Sequence, residues 1–306
     1  MFSFNSIPLL ALLMIVATTT SCYSMEINSL VYDGGNESPI GWLADLSLKQ
    51  YLNDLNTGLS SSSSSSSTTE TKIPNRIING VEVEPGEAPF MAQLFRRFLF
   101  SNRFLCGGSL ITSRTVLTAA HCVNYFTNYR IRYGSNSLLW SQYPDVEVKM
   151  MKPHPKFDLS TVQNDIALFI LKNPIKPGSN VQTIELADQE ISAGTNASLY
   201  GFGLTDGNGN QPATKMQKTT LNVLNETECS EYISKLNIRK TPGMFCASAP
   251  NRSACNGDSG GPLINTESKK QIGIVSFGTR YCPAGSINVF TNVYYYKNWI
   301  EKNKVE

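Results

Sequence analysis

The sequence contains two histidines, the residue type that most often serves as general base when a hydroxyl group attacks a carbonyl carbon. His121 follows the apolar run Leu117–Ala120 and precedes Cys122, which can hold it in place through a disulfide bond. His154 lies between two prolines in a polar stretch, and we interpret it as an exposed loop residue. We therefore predict that His121 is the general base.

One serine has neighbours that suit a nucleophile. Ser259 lies in the segment Cys255–Pro262, in which glycines flank the pair Asp258–Ser259 on both sides. Because glycine adopts backbone dihedrals that other residues avoid, two N–H groups can point at one position. The N–H groups of Gly257 and Ser259 are therefore the candidate oxyanion hole, which would stabilise the charge that develops during acyl transfer. The alternative is a simple glycine-rich turn.

The composition narrows the class of protein. The 306 residues are 41% hydrophobic and 16% charged, so the chain can bury a core and is not a disordered protein. The formal net charge of +2 and the lack of a basic stripe argue against nucleic-acid binding. The sequence has no Cys/His cluster with zinc spacing and no Asp-rich calcium loop, so we expect no metal and no other cofactor.

The N-terminal quarter of the chain has the composition of targeting and processing segments. Residues 1–24 are predicted to be a secretory signal peptide, since the apolar run Ile7–Ala17 is short and small residues follow it; a membrane anchor is the alternative. Residues 25–76 contain the tract Ser60–Ser67, which is typical of a flexible linker. We interpret them as a propeptide rather than a spacer, because of the Arg76–Ile77 junction described below. The mature protein is therefore expected to be secreted, with no membrane segment.

Residues 77–306 are predicted to form one all-β domain. Short β-branched and aromatic runs are separated by Gly, Pro, Asn and Ser, which favours a sandwich or barrel over an α/β fold. The predicted strands include Ser109–Leu117, Val146–Met151, Ile166–Leu171, Ser198–Tyr200 and Gln271–Phe277. Val293–Lys304 has helical spacing and is predicted to be a C-terminal helix.

The seven cysteines divide into one early and six late residues. An even set in a secreted chain implies disulfide bonds. Signal cleavage after Ser24 would remove Cys22, whereas cleavage after Ser21 would leave it as an odd thiol. The six late cysteines are Cys106, Cys122, Cys229, Cys246, Cys255 and Cys282.

Four segments of the sequence resemble the signatures of the trypsin/chymotrypsin family of serine proteases, in the family's order. They are Ile77–Gly80, Thr118–Cys122, Asn164–Leu168 and Gly257–Pro262. The resemblance runs from Ile77 to about Ile300. It implies two six-stranded antiparallel β-barrels that divide near residue 185, with the reactive residues in the cleft between them.

The same resemblance assigns residue roles. It implies that Ser259 is the nucleophile, His121 the general base and then acid, and Asp165 the carboxylate that orients the histidine. Ser276 resembles the serine that supports this buried aspartate. The implied disulfide bonds are Cys106–Cys122, Cys229–Cys246 and Cys255–Cys282.

The junction Arg76–Ile77 resembles the family's activation site. The resemblance implies that cleavage there frees the amine of Ile77, which pairs with Asp258 and so forms the oxyanion hole. A neutral residue, Ser253, stands where an aspartate would attract Lys or Arg side chains. We therefore expect that the enzyme does not cleave its own junction and that a separate trypsin-like protease activates it.

The substrate-binding residues implied by the resemblance are Ser253, Ser276, Gly278 and Asn288. Gly278 leaves the pocket mouth open, whereas Asn288 replaces the usual glycine of the opposite wall and partly fills the slot. The segments Ala254–Gly257, Ser276–Gly278 and Phe290–Val293 also resemble the brachyurin-like branch of invertebrate proteases, and this resemblance implies broad cleavage. We expect a chymotrypsin-like or broad preference for Leu, Met, Phe or Tyr before the cleaved bond, and weaker cleavage after basic residues.

Three functions remain open from the sequence. The first is an active secreted endopeptidase, the second a regulatory protease of a cascade, and the third a catalytically silent relative that acts as a binding module. The expected partners are protein substrates, the activating protease and protein inhibitors, and we expect a monomer that binds neither nucleic acid nor membranes. Glycosylation sequons occur at Asn36, Asn196, Asn225 and Asn251.

Overall fold

The computed structural model describes residues 77–98, 101–125, 127–139, 144–204, 211–279 and 281–306. The predicted signal peptide (1–24) and propeptide (25–76), with Arg76 of the junction, lie outside the described residues. Within these ranges the chain forms thirteen strands and two α-helices. None of the described helices is long and apolar enough to cross a lipid bilayer.

The strands, in chain order, are β1 (Val81–Glu82), β2 (Met91–Phe98), β3 (Ser101–Thr112), β4 (Thr115–Thr118), β5 (Asn128–Tyr133), β6 (Asp145–Pro153), β7 (Ala167–Leu171), β8 (Asn196–Gly201), β9 (Gln217–Val223), β10 (Met244–Ser248), β11 (Pro262–Asn265), β12 (Gln271–Gly278) and β13 (Asn288–Asn292). The helices are α1 (Glu226–Lys235) and α2 (Lys297–Asn303), and Ala120–Cys122 forms a 3-10 turn.

Strands β2 to β7 form the first barrel, which closes in the order β2–β3–β4–β7–β6–β5. The paired strands β4 and β7 are buried at every position. Such continuous burial requires cover on both faces of the barrel wall. Part of this cover comes from the end of the chain, because Val293, Tyr296 and Ile300 belong to the same buried cluster.

Strands β8 to β13 form the second barrel, in the order β9–β10–β13–β12–β11–β8, which pairing of β8 with β9 closes. Strand β1 extends this sheet beside β9. Buried residues alternate with more exposed ones along β9, as expected of a barrel strand with one face inward. The prediction of an all-β fold with two six-stranded antiparallel barrels and a C-terminal helix is confirmed, and residue 185 falls in the connection between β7 and β8.

The structure differs from the sequence prediction at three places. The predicted strand Ser109–Leu117 is split into β3 and β4 by a turn at residues 113–114. The C-terminal helix begins at Lys297 rather than Val293, because the N–H of Val293 donates to the Ile272 carbonyl and keeps this residue attached to β12. Helix α1 was not predicted, although Asn225 and Glu228 form a capping box at its start.

The last residues of the chain are fastened to the first barrel. The N–H of Val305 donates to Oγ1 of Thr115 over 2.8 Å, and this hydroxyl donates to the Val305 carbonyl oxygen over 2.6 Å. Thr112 Oγ1 also donates to that oxygen. Thr115 is fully buried whereas Val305 is exposed, so these bonds are partly shielded from water.

We expect Thr115→Val to lower the free energy of unfolding by about 0.5–1.5 kcal/mol, because the isosteric side chain removes the acceptor of the Val305 N–H and leaves only Thr112 to donate to the Val305 carbonyl. Urea unfolding followed by tryptophan fluorescence measures the change. Thr115→Ser, which keeps the hydroxyl group, is the matched control and should retain more of the stability. Equal stability of the valine variant and the parent would show that this attachment contributes nothing.

Candidate active site

His121 and Asp165 form a two-point contact at the edge of the first barrel. Nδ1 of His121 lies 2.8 Å from Oδ2 of Asp165, and the N–H of His121 donates to Oδ1 over 2.9 Å. The histidine side chain is 8% exposed and that of the aspartate 1%. Because both carboxylate oxygens are used, the position and the rotation of the imidazole ring are fixed together.

The second barrel completes the environment of Asp165. Ser276 of β12 donates its hydroxyl to Oδ2 over 2.5 Å, and Thr291 of β13 donates to the Asp165 carbonyl oxygen over 2.7 Å. Burial alone would raise the pKa of Asp165, but the charge of His121 and the hydrogen bonds from His121 and Ser276 lower it overall. The carboxylate therefore stays ionised inside the protein.

Local sequence explains how Asp165 reaches this place. It precedes the fully buried strand β7, and Asn164 before it has a φ of 56°, in the left-handed region that asparagine tolerates better than most residues. The side chain of Asn164 donates to the Lys156 carbonyl and accepts from the Tyr296 hydroxyl. These two bonds hold the turn that directs Asp165 inward.

The Cys106–Cys122 disulfide bond supports His121 from the other side. A ring nitrogen of His121 lies within 4.8 Å of both sulfur atoms. The arrangement is not a zinc site, because the sulfurs are bonded to each other and zinc binds thiolates. Nε2 of His121 is buried and has no hydrogen-bond partner among the described residues, so this nitrogen is available to a reacting group.

The loop that carries Ser259 packs against the strands that lead to His121. The N–H of Gly107 donates to the Ser259 carbonyl oxygen over 2.8 Å. Gly260 has a φ of 73°, and a Cβ atom there would lie 2.2 Å from Oγ1 of Thr118. Only glycine allows this approach, which brings the serine loop of the second barrel to the histidine segment of the first.

The backbone of this loop leaves two donors unused. Gly257 has a φ of 98°, in the region that glycine adopts more readily than other residues. In the described part of the chain, the N–H groups of Gly257 and Ser259 donate to no protein acceptor. Likewise, no hydrogen bond joins Oγ of Ser259 to Nε2 of His121 there. These two donors and the imidazole nitrogen thus have no protein partner among the described residues.

Asp258 is fully buried beside the candidate nucleophile. Its carboxylate accepts from the N–H groups of Gly203 (2.8 Å) and Cys255 (2.9 Å). Glycine is required at residues 201 and 203, since a Cβ atom would lie 2.0 or 2.2 Å from a carboxylate oxygen. Burial raises the pKa of Asp258 to about 7, although the two backbone hydrogen bonds act in the opposite direction.

The segment after the junction lies against the loop that precedes Ser259. Ile77 is fully buried, and Ile78 forms a β-bridge with Ser253. The side-chain amide of Asn79 donates to the Asn251 carbonyl oxygen over 2.5 Å. The start of the described chain is therefore joined to the residues predicted to bind substrate.

The structure brings three of the four predicted substrate-binding residues together. Ser253 and Asn288 are hydrogen-bonded to each other over 3.3 Å, and Gly278 lies next to the Asn288 amide. Ser276 is separate in its role, because its hydroxyl group is bonded to Asp165. The other disulfide bonds are Cys229–Cys246 and Cys255–Cys282, the pairing that the resemblance implies.

Sequence reasoning missed two polar residues of the site. Thr291 holds the backbone of Asp165, and Ser286 lies 2.7 Å from the hydroxyl oxygen of Ser253. Neither lies in a signature segment, so no local pattern identifies them. His154, interpreted as exposed, is half-buried between the rings of Tyr296 and Trp299 and takes no part in the site.

Comparison with known proteins gives one family and several relatives. The family model described as Trypsin matches residues 77–300. A vitellin-degrading protease of Bombyx mori is 34% identical over 74% of this chain and 85% of its own length. A trypsin of Sarcophaga bullata is 32% identical over 78% of this chain and 93% of its own length. Human kallikrein-4 is 34% identical over 74% of this chain and 87% of its own length.

We expect the pKa of Asp258 to make the uncleaved chain less stable as pH rises from about 4 to about 7. Across this range the unfolded chain releases the proton that the folded chain retains, so folding is favoured less at each step. The free energy of unfolding is expected to fall by about 4 kcal/mol over this range. Urea unfolding of the parent and of Asp258→Asn across pH 4–8 measures it by difference, which removes the opposite contribution of Asp165. Parallel profiles of the two proteins would contradict the buried, protonated Asp258.

Proposed function

The chain belongs to the trypsin family, and from this we propose that it is a secreted serine endopeptidase that hydrolyses protein substrates through an acyl-enzyme intermediate. The family match and the relatives support a protease function. The observation that supports the finer proposal is the Asp165–His121 contact, which leaves Nε2 without a partner among the described residues, while the Ser259 loop packs through Gly260 against Thr118 of the histidine segment.

In the proposed reaction, Oγ of Ser259 attacks the carbonyl carbon of the scissile bond while His121 Nε2 accepts its proton. The N–H groups of Gly257 and Ser259 stabilise the oxyanion. The imidazolium, held by Asp165, then gives its proton to the leaving amine. Water completes the cycle by attacking the acyl-enzyme in the same manner. A silent binding module is disfavoured because every group that these steps require is present.

We propose that the enzyme is a zymogen activated by cleavage between Arg76 and Ile77. Two features of the intact chain support this. Asp258 is buried without a cation among the described residues, and a new ammonium group at Ile77 would supply one. Ile77 also has a φ of 49°, a conformation that costs a β-branched residue about 1–3 kcal/mol. The φ angle of Ile77 is defined in part by the carbonyl carbon of Arg76. Cleavage of the Arg76–Ile77 bond separates this atom from Ile77, so the strain is relieved.

The remaining parts of the proposal concern the environment of the enzyme. Residues 1–24 would direct secretion, a trypsin-like protease would activate the chain, and protein inhibitors would bind the cleft of the monomer. The sequon residues Asn196, Asn225 and Asn251 are exposed and could carry glycans. The pocket residues are uncharged, which supports a chymotrypsin-like or broad preference for the residue before the cleaved bond (P1). A regulatory role in a cascade remains the second candidate.

We expect Ser259→Ala to abolish peptide hydrolysis and labelling by an active-serine phosphonate probe, since no other hydroxyl group has this environment. Mass spectrometry of the labelled protein identifies the modified residue. Ser268→Ala, at an exposed serine of the β11–β12 connection, is the control and should keep full activity. Hydrolysis by the Ser259→Ala protein above a few per cent of the parent rate would refute the assignment.

We also expect Arg76→Gln to keep the chain inactive after treatment with trypsin, because the amine of Ile77 is never released. N-terminal sequencing of the active parent should begin at Ile77. Lys72→Gln removes the nearest other basic residue and should leave activation unchanged. Full activity of a chain still joined to residue 76 would contradict the proposed activation.

A further inference from the structure

His154 touches none of the reacting groups, but the backbone that follows it fixes its tautomer. Its Nδ1 lies 3.2 Å from the N–H of Lys156, which can only donate, so Nδ1 must be the unprotonated acceptor. The ring is half-buried, with its centroid 5.4 Å from that of Tyr296 and 5.2 Å from that of Trp299. These contacts hold a neutral imidazole in one orientation.

A closed ring of contacts joins His154 to the turn that carries Asp165. The carbonyl oxygen of Lys156 accepts from Nδ2 of Asn164 over 2.8 Å. Oδ1 of Asn164 accepts from the Tyr296 hydroxyl over 3.0 Å, and Tyr296 packs in turn against His154. Asn164 has a φ of 56°, in the left-handed region, and these two bonds stabilise that conformation. Because Asp165 is the next residue, the conformation of Asn164 sets the direction of its carboxylate.

The surroundings of His154 oppose a positive charge on its ring. Burial, and then the like charge of Lys156, lower the pKa of His154 below its ordinary value of about 6.5. On β6, the ammonium group of Lys152 donates to the Asn303 carbonyl oxygen. On the loop itself, the carboxylate of Asp158 accepts from two neighbouring hydroxyl groups. No carboxylate of the described residues forms an ion pair with the ring, which is therefore neutral near pH 7.

The C-terminal side of the ring carries no charge either. Helix α2 presents the indole of Trp299 to it. Tyr296 is the titratable group on this side, and burial raises its pKa, so its hydroxyl stays a donor to Asn164. A Cβ atom at Gly243 would collide with this hydroxyl, so glycine leaves the space that it occupies. Of the groups that hold Asn164, His154 is thus the one whose protonation changes below neutral pH.

Resting on the proposed protease activity, we propose that neutral His154 is a positioning residue for Asp165 and that its protonation releases the turn that directs this carboxylate. A proton on Nδ1 would face the Lys156 N–H donor to donor, so their hydrogen bond is lost. The Lys156 carbonyl then no longer holds Asn164, and Asp165 orients His121 less well. Turnover therefore falls in acid through a group outside the reacting atoms.

The test separates the acceptor from the ring. His154→Asn places Oδ1 where Nδ1 stands and keeps an acceptor that does not titrate, whereas His154→Phe keeps an aromatic ring without an acceptor. At pH 8 we expect the Phe variant to have a kcat about tenfold below that of the parent with unchanged KM, and the Asn variant to keep the parent's kcat. Active enzyme is counted by serine-probe titration, so loss of folded protein does not lower kcat. A Phe variant with the parent's kcat, or an Asn variant as slow as the Phe variant, would overturn the proposal.

The pH profile of kcat is a readout that a merely structural role would not change. From pH 8 to pH 4 the parent should lose activity through protonation of the general base, and about tenfold more through protonation of His154. The His154→Asn variant should show the first loss alone. Superimposable profiles of the two enzymes would refute the role of His154 protonation.

Failure of the proposed function would look different, since the parent would then bind no probe and cleave no peptide. Proton NMR of the Ser259→Ala chain tests the positioning without activity. The resonance of the proton between His121 Nδ1 and Asp165 should shift in two steps on acidification, and in one step when His154→Asn is added. A single step in both proteins would contradict the proposal.

Discussion

The buried carboxylate of Asp165 is the constraint on which the site depends. A carboxylate whose side chain is only 1% exposed is stable as an anion only if its oxygens accept hydrogen bonds, and His121 and Ser276 donate them. Because Ser276 belongs to the second barrel and His121 to the first, satisfying this one charge fixes how the barrels meet. The position of Ser259 then follows from close contacts between glycine backbones rather than from side-chain packing.

Much of the fold was predictable because barrel strands carry a local signal. The alternation along β9 and the continuous apolar run of β7 can be read from neighbouring residues. The start of α2 could not, because a hydrogen bond from Val293 to distant Ile272 overrides helical spacing. Helix α1 begins with a capping box, which is a local signal, but only Cys229 and Ile233 of its residues are buried, too few for apolar periodicity to indicate a helix.

The residues of the site also divide into those with a local sequence signal and those whose role depends on contacts made in the fold. His121, Asp165 and Ser259 lie in contiguous segments whose composition suggests their chemistry, whereas Thr291 and Ser286 acquire a role only through folding. For the predicted substrate pocket, the residue types could be predicted, but the hydrogen bonds that join Ser253 to Asn288 and Ser286 could not, because they link residues more than thirty positions apart.

The attachment of the C-terminal residues to the first barrel also constrains the order of synthesis and folding. The first barrel, β2–β7, leaves the ribosome long before Tyr296, Ile300 and Val305, which cover its outer wall. Its nascent form therefore exposes apolar surface until translation ends, and contacts of such long sequence separation form slowly. The first barrel can therefore complete its packing only after residues 296–305 have been synthesised, which also delays assembly of the cleft that it shares with the second barrel.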